Sequence, residues 1–328
     1  MTETSQSASV VLPVQKAGWL QRVLPWIVSL AVVSWLLWPY RTEQGRALLI
    51  DAFARASSWT LALAIAAPIS LWLSDAYATA RTFQRWGTPI SLKETCLIRG
   101  ATALFDAINP ALGQAVLTVV VHRRGTPWRQ TLVIVLLMNV IFLVQIALVS
   151  GVGLVAGAAP EGGIVSVLVT GALALTVVYL GVIALRPAVF ARNRTLAWLA
   201  DMGLRGHAWA FLYRLPNAGV LIGWQVLLMR CFGIELPLTV ALFYLPPLMF
   251  IVGMPISVQG IGPAQLAAVA FFAGYVGGDR AAAEASVIAS GFAATALTTL
   301  GAIVIGLSCM TTDTGRRSLA ALRDAAPG

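Results

Sequence analysis

The sequence predicts an all-α polytopic membrane protein, and three observations carry that prediction. Hydrophobic residues make up 59% of the chain and charged residues only 11%, where soluble domains hold about 45–50% and about 25%. The apolar residues gather into stretches of about 20, the length that crosses the hydrocarbon core of a bilayer. The basic residues sit in short clusters between those stretches, the pattern that orients membrane helices. With a mean hydropathy of +0.83, lipid must be the solvent for most of this surface. No polar linker divides the chain, so residues 1–328 read as a single membrane domain.

The elements follow in order. The N-terminus is polar, and the first apolar stretch is of full membrane length with no small-residue cleavage site, so Trp19–Tyr40 reads as a retained helix. Arg41–Ala56 carries Leu49, Ile50 and Phe53 on one face and charges elsewhere, which predicts a helix lying in the interface. Ser57–Ala80 is the next span, with Arg81 and Arg85 beyond it. Thr131–Ala156 and Ile164–Leu185 are plain spans. Arg186, Arg192, Arg194 and Arg205 surround TLAWLADMGL, a second interfacial helix. His207–Met229 and Ala282–Cys309 bring the count to about six full transmembrane helices.

Two regions do not fit a simple crossing. Residues 91–122 are interrupted by FDAINPALGQ, and residues 238–276 by MPISVQGIGPAQ. Each offers an apolar arm, a Pro/Gly-rich break and a second arm of only about three turns, too short to cross. They read as two re-entrant or broken helix hairpins, whose irregular backbone survives at membrane depth only against protein or a wet cavity.

Charge then sets orientation. With the N-terminus inside, Lys16, Arg22, Arg81, Arg85, Lys93, Arg123, Arg124, Arg129, Arg186, Arg192, Arg194, Arg205, Arg316, Arg317 and Arg323 all fall on the inner side. Only Arg41, Arg46, Arg55, Arg230 and Arg280 fall outside, and Arg99 and Arg214 lie within the membrane. This is the asymmetry of the positive-inside rule. It places both termini in the cytoplasm of a cell with a plasma (inner) membrane, read here as bacterial.

The layout also contains an inverted-topology repeat. Gly113 and Gly125 bracket the first short arm and Gly262 and Gly274 the second, with an offset of 149 residues from Gly113 to Gly262 and from Gly125 to Gly274. Spans starting at Ser57 and His207 precede the hairpins, and spans starting at Thr131 and Ala282 follow them. The halves are 57–156 and 207–309, with the Ser57 span running inward and the His207 span outward. Transporters use this arrangement, with the site at the repeat interface and discontinuous helices lining it.

The net charge of +9 does not point to nucleic acid, because its clusters flank apolar spans and suit anionic lipid head groups. Cys96, Cys231 and Cys309 are too scattered for a disulfide framework or a metal knuckle. His122 and His207 sit near predicted helix ends without partners at metal-ligand spacing. No HExxH, GxSxG or paired-carboxylate motif appears, nor a GxxxxGK[ST] loop, so neither an enzyme nor a cofactor is expected.

NPALGQAVLTVVVHRRG, followed by a long apolar span, resembles the first motif of the lysylphosphatidylglycerol synthase transmembrane family. PISVQGIGPAQLAAVAFFAGYVG resembles its second, a Pro–Ser–x–x–Gly–x–Gly turn. The resemblance covers roughly residues 15–310. It departs at Gln114 and Gln265, where the family often carries acids. The family includes the flippase part of the multiple peptide resistance factor, so the resemblance implies movement of a phospholipid or lipid-linked molecule between leaflets. The synthase half of the bifunctional members is a soluble C-terminal domain, and the chain ends at Gly328, so aminoacyl transfer is not expected.

Such a task needs polar residues inside apolar segments. Asn109, Pro110, Gly113 and Gln114 form one candidate turn; Pro255, Ser257, Gln259, Gly260, Gly262 and Gln265 form the other. Half-helix N-termini just after Asn109 and Gly262 suit a phosphate. Intramembrane charges are costly and point to function by default. Arg99 and Asp106 share a face two turns apart; Arg214 sits inside its span and Asp75 near the end of another. Either arginine suits a phosphate, and either aspartate suits an ion pair or a proton, while structural ion pairing and snorkelling are the bland alternatives. Asn139 and Gln145 read as interhelical glue. The expected function is therefore a lipid flippase-like transporter. A membrane-embedded lipid-modifying enzyme is the alternative, or a non-transporting partner of a glycosyltransferase or lipid synthase. The sequence leaves a homo-oligomer open.

Overall fold

The computed structural model describes residues 19–107, 110–158, 163–186, 194–254 and 260–312. Among the described residues every regular element is a helix, joined by one isolated antiparallel bridge between Ile234 and Val276. The α-helices are α1 (Trp19–Leu37), α2 (Glu43–Ala54), α3 (Trp59–Arg85), α4 (Leu92–Asp106), α5 (Pro110–Arg123), α6 (Trp128–Val155), α7 (Ile164–Leu185), α8 (Arg194–Asp201), α9 (Gly203–Cys231), α10 (Leu238–Gly253), α11 (Pro263–Phe272) and α12 (Arg280–Met310).

Four of them contain stretches long and apolar enough to cross a membrane: Ala62–Arg85 within α3, and all of α6, α7 and α12. The protein is therefore a multi-pass membrane protein. α9 has 29 residues but is not among the four. Arg205, Arg214, Asn217 and Gln225 along its length lower its apolarity.

Local chemistry explains where helices begin. The Ser91 hydroxyl accepts the Glu94 N–H at 3.1 Å to open α4, and Asp279 Oδ1 accepts the Ala282 N–H at 2.7 Å to open α12. Both are N-caps that satisfy an otherwise orphaned donor. α3 runs beyond its predicted end at Ala80 to Arg85. Its last turns are buried at Thr79, Ala80, Thr82 and Phe83, so packing carries the helix past the Arg81 signal. α5 and α11 begin directly after Asn109 and Gly262. Gly113 therefore lies inside α5 rather than at its edge, and Gly274 falls in a 3-10 turn after α11.

α3 and α9 pack antiparallel along their length. The Ser57 N–H donates to the Cys231 carbonyl at 3.0 Å at one end. Asn217 Nδ2 donates to Ser74 Oγ at 3.0 Å midway, and the Arg85 guanidinium lies 5.2 Å from the Trp209 ring at the other end. Around this pair the contacts come in matched sets. α4 packs on α12, where Gly100 faces Cys309 and Gly306 faces Leu104; α10 packs on α6, where Gly153 faces the Phe243 backbone. α12 also meets α3, with Gly301 against Pro68. α6 likewise meets α9, where Gln145 Nε2 donates to the Phe211 carbonyl at 3.3 Å.

The largest apolar core surrounds α10, joining Phe243, Leu245 and Leu248 to Leu228 of α9, Phe272 of α11 and Val287 of α12. α7, by contrast, exposes Val167, Leu168, Leu175 and Val178. On a membrane protein such a face meets hydrocarbon rather than water.

Candidate functional site: a buried ionic cluster

Asp75, Arg99, Asp106 and Arg214, far apart in the chain, meet where α3, α4 and α9 adjoin. Arg99 Nε donates to Asp75 Oδ2 at 2.5 Å, and its Nη2 lies 3.6 Å from Asp106 Oδ2. Its remaining Nη1 is 3.5 Å from Thr102 Oγ1. On the far side of Asp75, Oδ1 faces Arg214 Nη2 at 3.9 Å. The two arginine side chains are only 9% and 11% exposed. Asp75 thus stands between two guanidinium groups, and Arg99 between two carboxylates. Two positive and two negative charges compensate, which is the condition for keeping ions in a medium of low dielectric.

The compensation is incomplete at one atom. Arg214 Nε is buried and has no hydrogen-bond partner among the described residues. A phenyl ring, Phe142 of α6, lies 6.0 Å from its guanidinium. Phe142 also lines a narrow groove, with room of only about 30 Å³, between α6, α9 and α10, together with Gln145, Val149, Asn217, Leu221 and Met249. Asn217 is one turn beyond Arg214 and so shares its face of α9. The groove is mostly apolar, and it runs beside the arginine that is least well paired.

The two turns are not part of one site in the same way. Asn109, Pro255, Ser257 and Gln259 lie outside the described residues. Pro110 is the first residue of α5. Gly113 joins the cluster, since a Cβ there would overlap the Asp106 carboxylate; only glycine lets α5 approach so closely. Gln114, next to it, is half-buried with Oε1 unpartnered among the described residues. The second turn sits elsewhere. Gly260 packs on Val252 of α10, and Gly262, at φ +98°, packs on Val32 and the Ser29 carbonyl of α1. Gln265 Oε1 accepts the Gly262 N–H at 2.6 Å, and its side chain faces Gly291 of α12. Gln265 is therefore a helix cap. Its carbonyl oxygen supplies what a carboxylate would supply at that position.

Several polar contacts were less visible in the sequence. Thr102 and Asn217 each follow an arginine at helical spacing, which is the signal that marks them, while Ser74 directly precedes Asp75. Gln145 does join two helices, whereas Asn139 Nδ2 donates within its own helix, to the Val135 carbonyl at 2.9 Å, with no interhelical hydrogen bond among the described residues. His207 is 2% exposed. Its Nδ1 contacts the Gly203 carbonyl at 2.8 Å and its Nε2 the Tyr179 hydroxyl at 2.7 Å, tying α7 to α9. Among the described residues no three His, Cys, Asp or Glu side chains gather as metal ligands.

Comparison with known families bears on this architecture directly. The model of the lysylphosphatidylglycerol synthase TM region matches residues 26–302. The chain belongs to that family. No curated protein matches it. As a member of the lysylphosphatidylglycerol synthase transmembrane family, it carries both broken regions, the charge cluster and the groove within the matched span.

Proposed function

We propose that this family member is a flippase-like carrier, moving a phospholipid or lipid-linked molecule between leaflets without chemically modifying it. The observation that carries the reading is the Arg214 guanidinium, buried with an unpartnered Nε beside a mostly apolar groove. A phosphate oxygen is the partner such a donor lacks, and charge-assisted bonds of this kind are the strong ones. The apolar lining of the groove suits the acyl side of such a molecule once bending of the helices widens it. Anionic head groups at the inner surface suit the basic loops.

The proposed frame is an inverted repeat of 57–156 and 207–309 in a bacterial inner membrane, with about six full crossings and both termini cytoplasmic. The matched contacts support it: α3 and α9 pair with each other, and α4 on α12 has its counterpart in α10 on α6. Pro68 inside α3 and Pro216 inside α9 add a corresponding break to each half. Proline removes a backbone hydrogen bond within a helix, so both central helices have a point at which to bend. Alternating exposure of the cluster then follows from bending one half against the other.

The test is leaflet exchange in proteoliposomes containing fluorescent phosphatidylglycerol, read by quenching of the outer leaflet. Exchange faster than in protein-free liposomes is expected. Arg214→Gln removes a contact worth about 1.5–3 kcal/mol and is expected to slow it at least about tenfold. Equal rates with and without protein, for this lipid and for a polyprenyl phosphate sugar, would sink the proposal.

A further inference from the structure

We propose that the ionic cluster binds its anion together with a proton, which is taken up by Asp106, so that an anionic lipid crosses as an electroneutral pair. The inference rests on the carrier reading above and adds the coupling ion to it. It begins from the charges. With Asp75, Arg99, Asp106 and Arg214 all ionised, the cluster is neutral before any ligand arrives. A phosphodiester reaching Arg214 brings one further negative charge into a site whose arginines are about nine-tenths buried. An uncompensated charge there is costly. One proton on one carboxylate restores neutrality.

Geometry selects the carboxylate. Asp75 accepts the short 2.5 Å bond from Arg99 and also faces Arg214, so protonating it would weaken two pairs. Asp106 meets Arg99 at the longer distance of 3.6 Å, and its side chain is the more exposed of the two, 27% against 18%. The charged groups around it are Arg99 on its own helix, Asp75 on α3 and, beyond Asp75, Arg214 on α9. From α5 it meets Gly113, while α12 turns Gly306 and Cys309 towards α4 at Leu104 and Gly100. No other carboxylate or histidine among the described residues is in ion-pair contact with this cluster. The step is a protonation: Asp106 changes from carboxylate to carboxylic acid as the phosphate oxygen engages Arg214, and the reverse occurs on release. No bond other than O–H forms or breaks.

Asp106 also lies against α5, the short arm after the first broken turn, through the Gly113 contact. Its change of charge is thus felt directly by that arm.

The full chain in detergent is mixed with dihexanoyl phosphatidylglycerol in weak buffer, and binding and proton uptake are read together by calorimetry and a pH indicator. Uptake of about one proton per lipid bound is expected, with affinity falling up to about tenfold per pH unit above the Asp106 titration. Asp106→Asn is expected to bind without uptake and with a flat pH profile. A parallel arm with glycerophosphoglycerol, the deacylated phosphodiester, separates the sources: uptake with both ligands assigns the coupling to the phosphodiester group alone, and uptake with the lipid only assigns it to the membrane substrate. Lipid binding by the wild type with no proton uptake overturns the inference and leaves the carrier reading standing. Uptake that persists in Asp106→Asn overturns the assignment of the proton. Absence of any lipid binding overturns both. The wild-type proton count stands without the variant, should Asp106→Asn fold poorly.

Discussion

At the scale of single residues, the cluster makes unequal demands on its members, and this can be measured. Asp75 serves two arginines, so Asp75→Asn leaves positive charge buried with one carboxylate remaining. Breaking a buried pair of this sort costs about 3–5 kcal/mol, and the thermal midpoint of the detergent-solubilised protein is expected to fall accordingly. Asp106→Asn weakens the longer of the Arg99 ion pairs and is expected to cost less; an equal fall in both variants would contradict the pairing described. Gly113→Val places a branched side chain against the Asp106 carboxylate and is expected to destabilise by about 1–3 kcal/mol, as overpacking does. These charges were legible in the sequence because a charge inside an apolar span is rare and costly. Their partners were not, because the approach of Asp75 to Arg214 is a tertiary contact that leaves no local mark. Gln265 is the opposite case. Its place in a glycine-rich turn read as a lining residue, while its oxygen in fact caps the helix that follows.

At the scale of elements, the helices owe their ends to chemistry that can be removed one group at a time. Asp279→Ala deletes the acceptor of the Ala282 N–H at the start of α12. About 1 kcal/mol is the usual cost of losing such a cap, seen as a lower thermal midpoint. Gly262 holds φ +98° before α11, so Gly262→Ala is expected to cost at least about 1 kcal/mol through backbone strain, added to pressure on Val32. An unchanged midpoint in Gly262→Ala would mean that the turn adopts another conformation in the membrane. The sequence placed α7 at its true limits, because Gly163 and Arg186 flank an unbroken apolar run. It stopped α3 at Ala80, because Arg81 reads as the membrane edge while the burial that prolongs the helix comes from other parts of the chain. α9 reads as a span from its length, yet Arg214, Asn217 and Gln225 are buried against protein rather than turned to lipid, and apolarity alone does not mark it.

At the scale of the whole molecule, the decisive feature is that α3 and α9 run antiparallel with the cluster between them. Ser74 Oγ and Asn217 Nδ2 are 3.0 Å apart, so Ser74→Cys with Asn217→Cys is expected to be bridged by a short bifunctional thiol reagent, joining the two halves of a chain cut in the α7–α8 region. Failure to cross-link would contradict the packing. The spacing of broken turns and following spans is what suggests the proposed repeat; which helix packs on which was not legible, since reciprocal packing is set by three-dimensional complementarity. The most direct measurement concerns the head group itself. A phosphatidylglycerol analogue carrying a photoreactive group near its phosphate is cross-linked to the protein in liposomes, and the labelled peptides are mapped by mass spectrometry. Labelling is expected on α6 between Phe142 and Val149 and on α9 between Arg214 and Ile222, and is expected to disappear in Arg214→Gln. Labelling confined to the outward faces of α7 and α12, unchanged by that substitution, would contradict a buried lipid site.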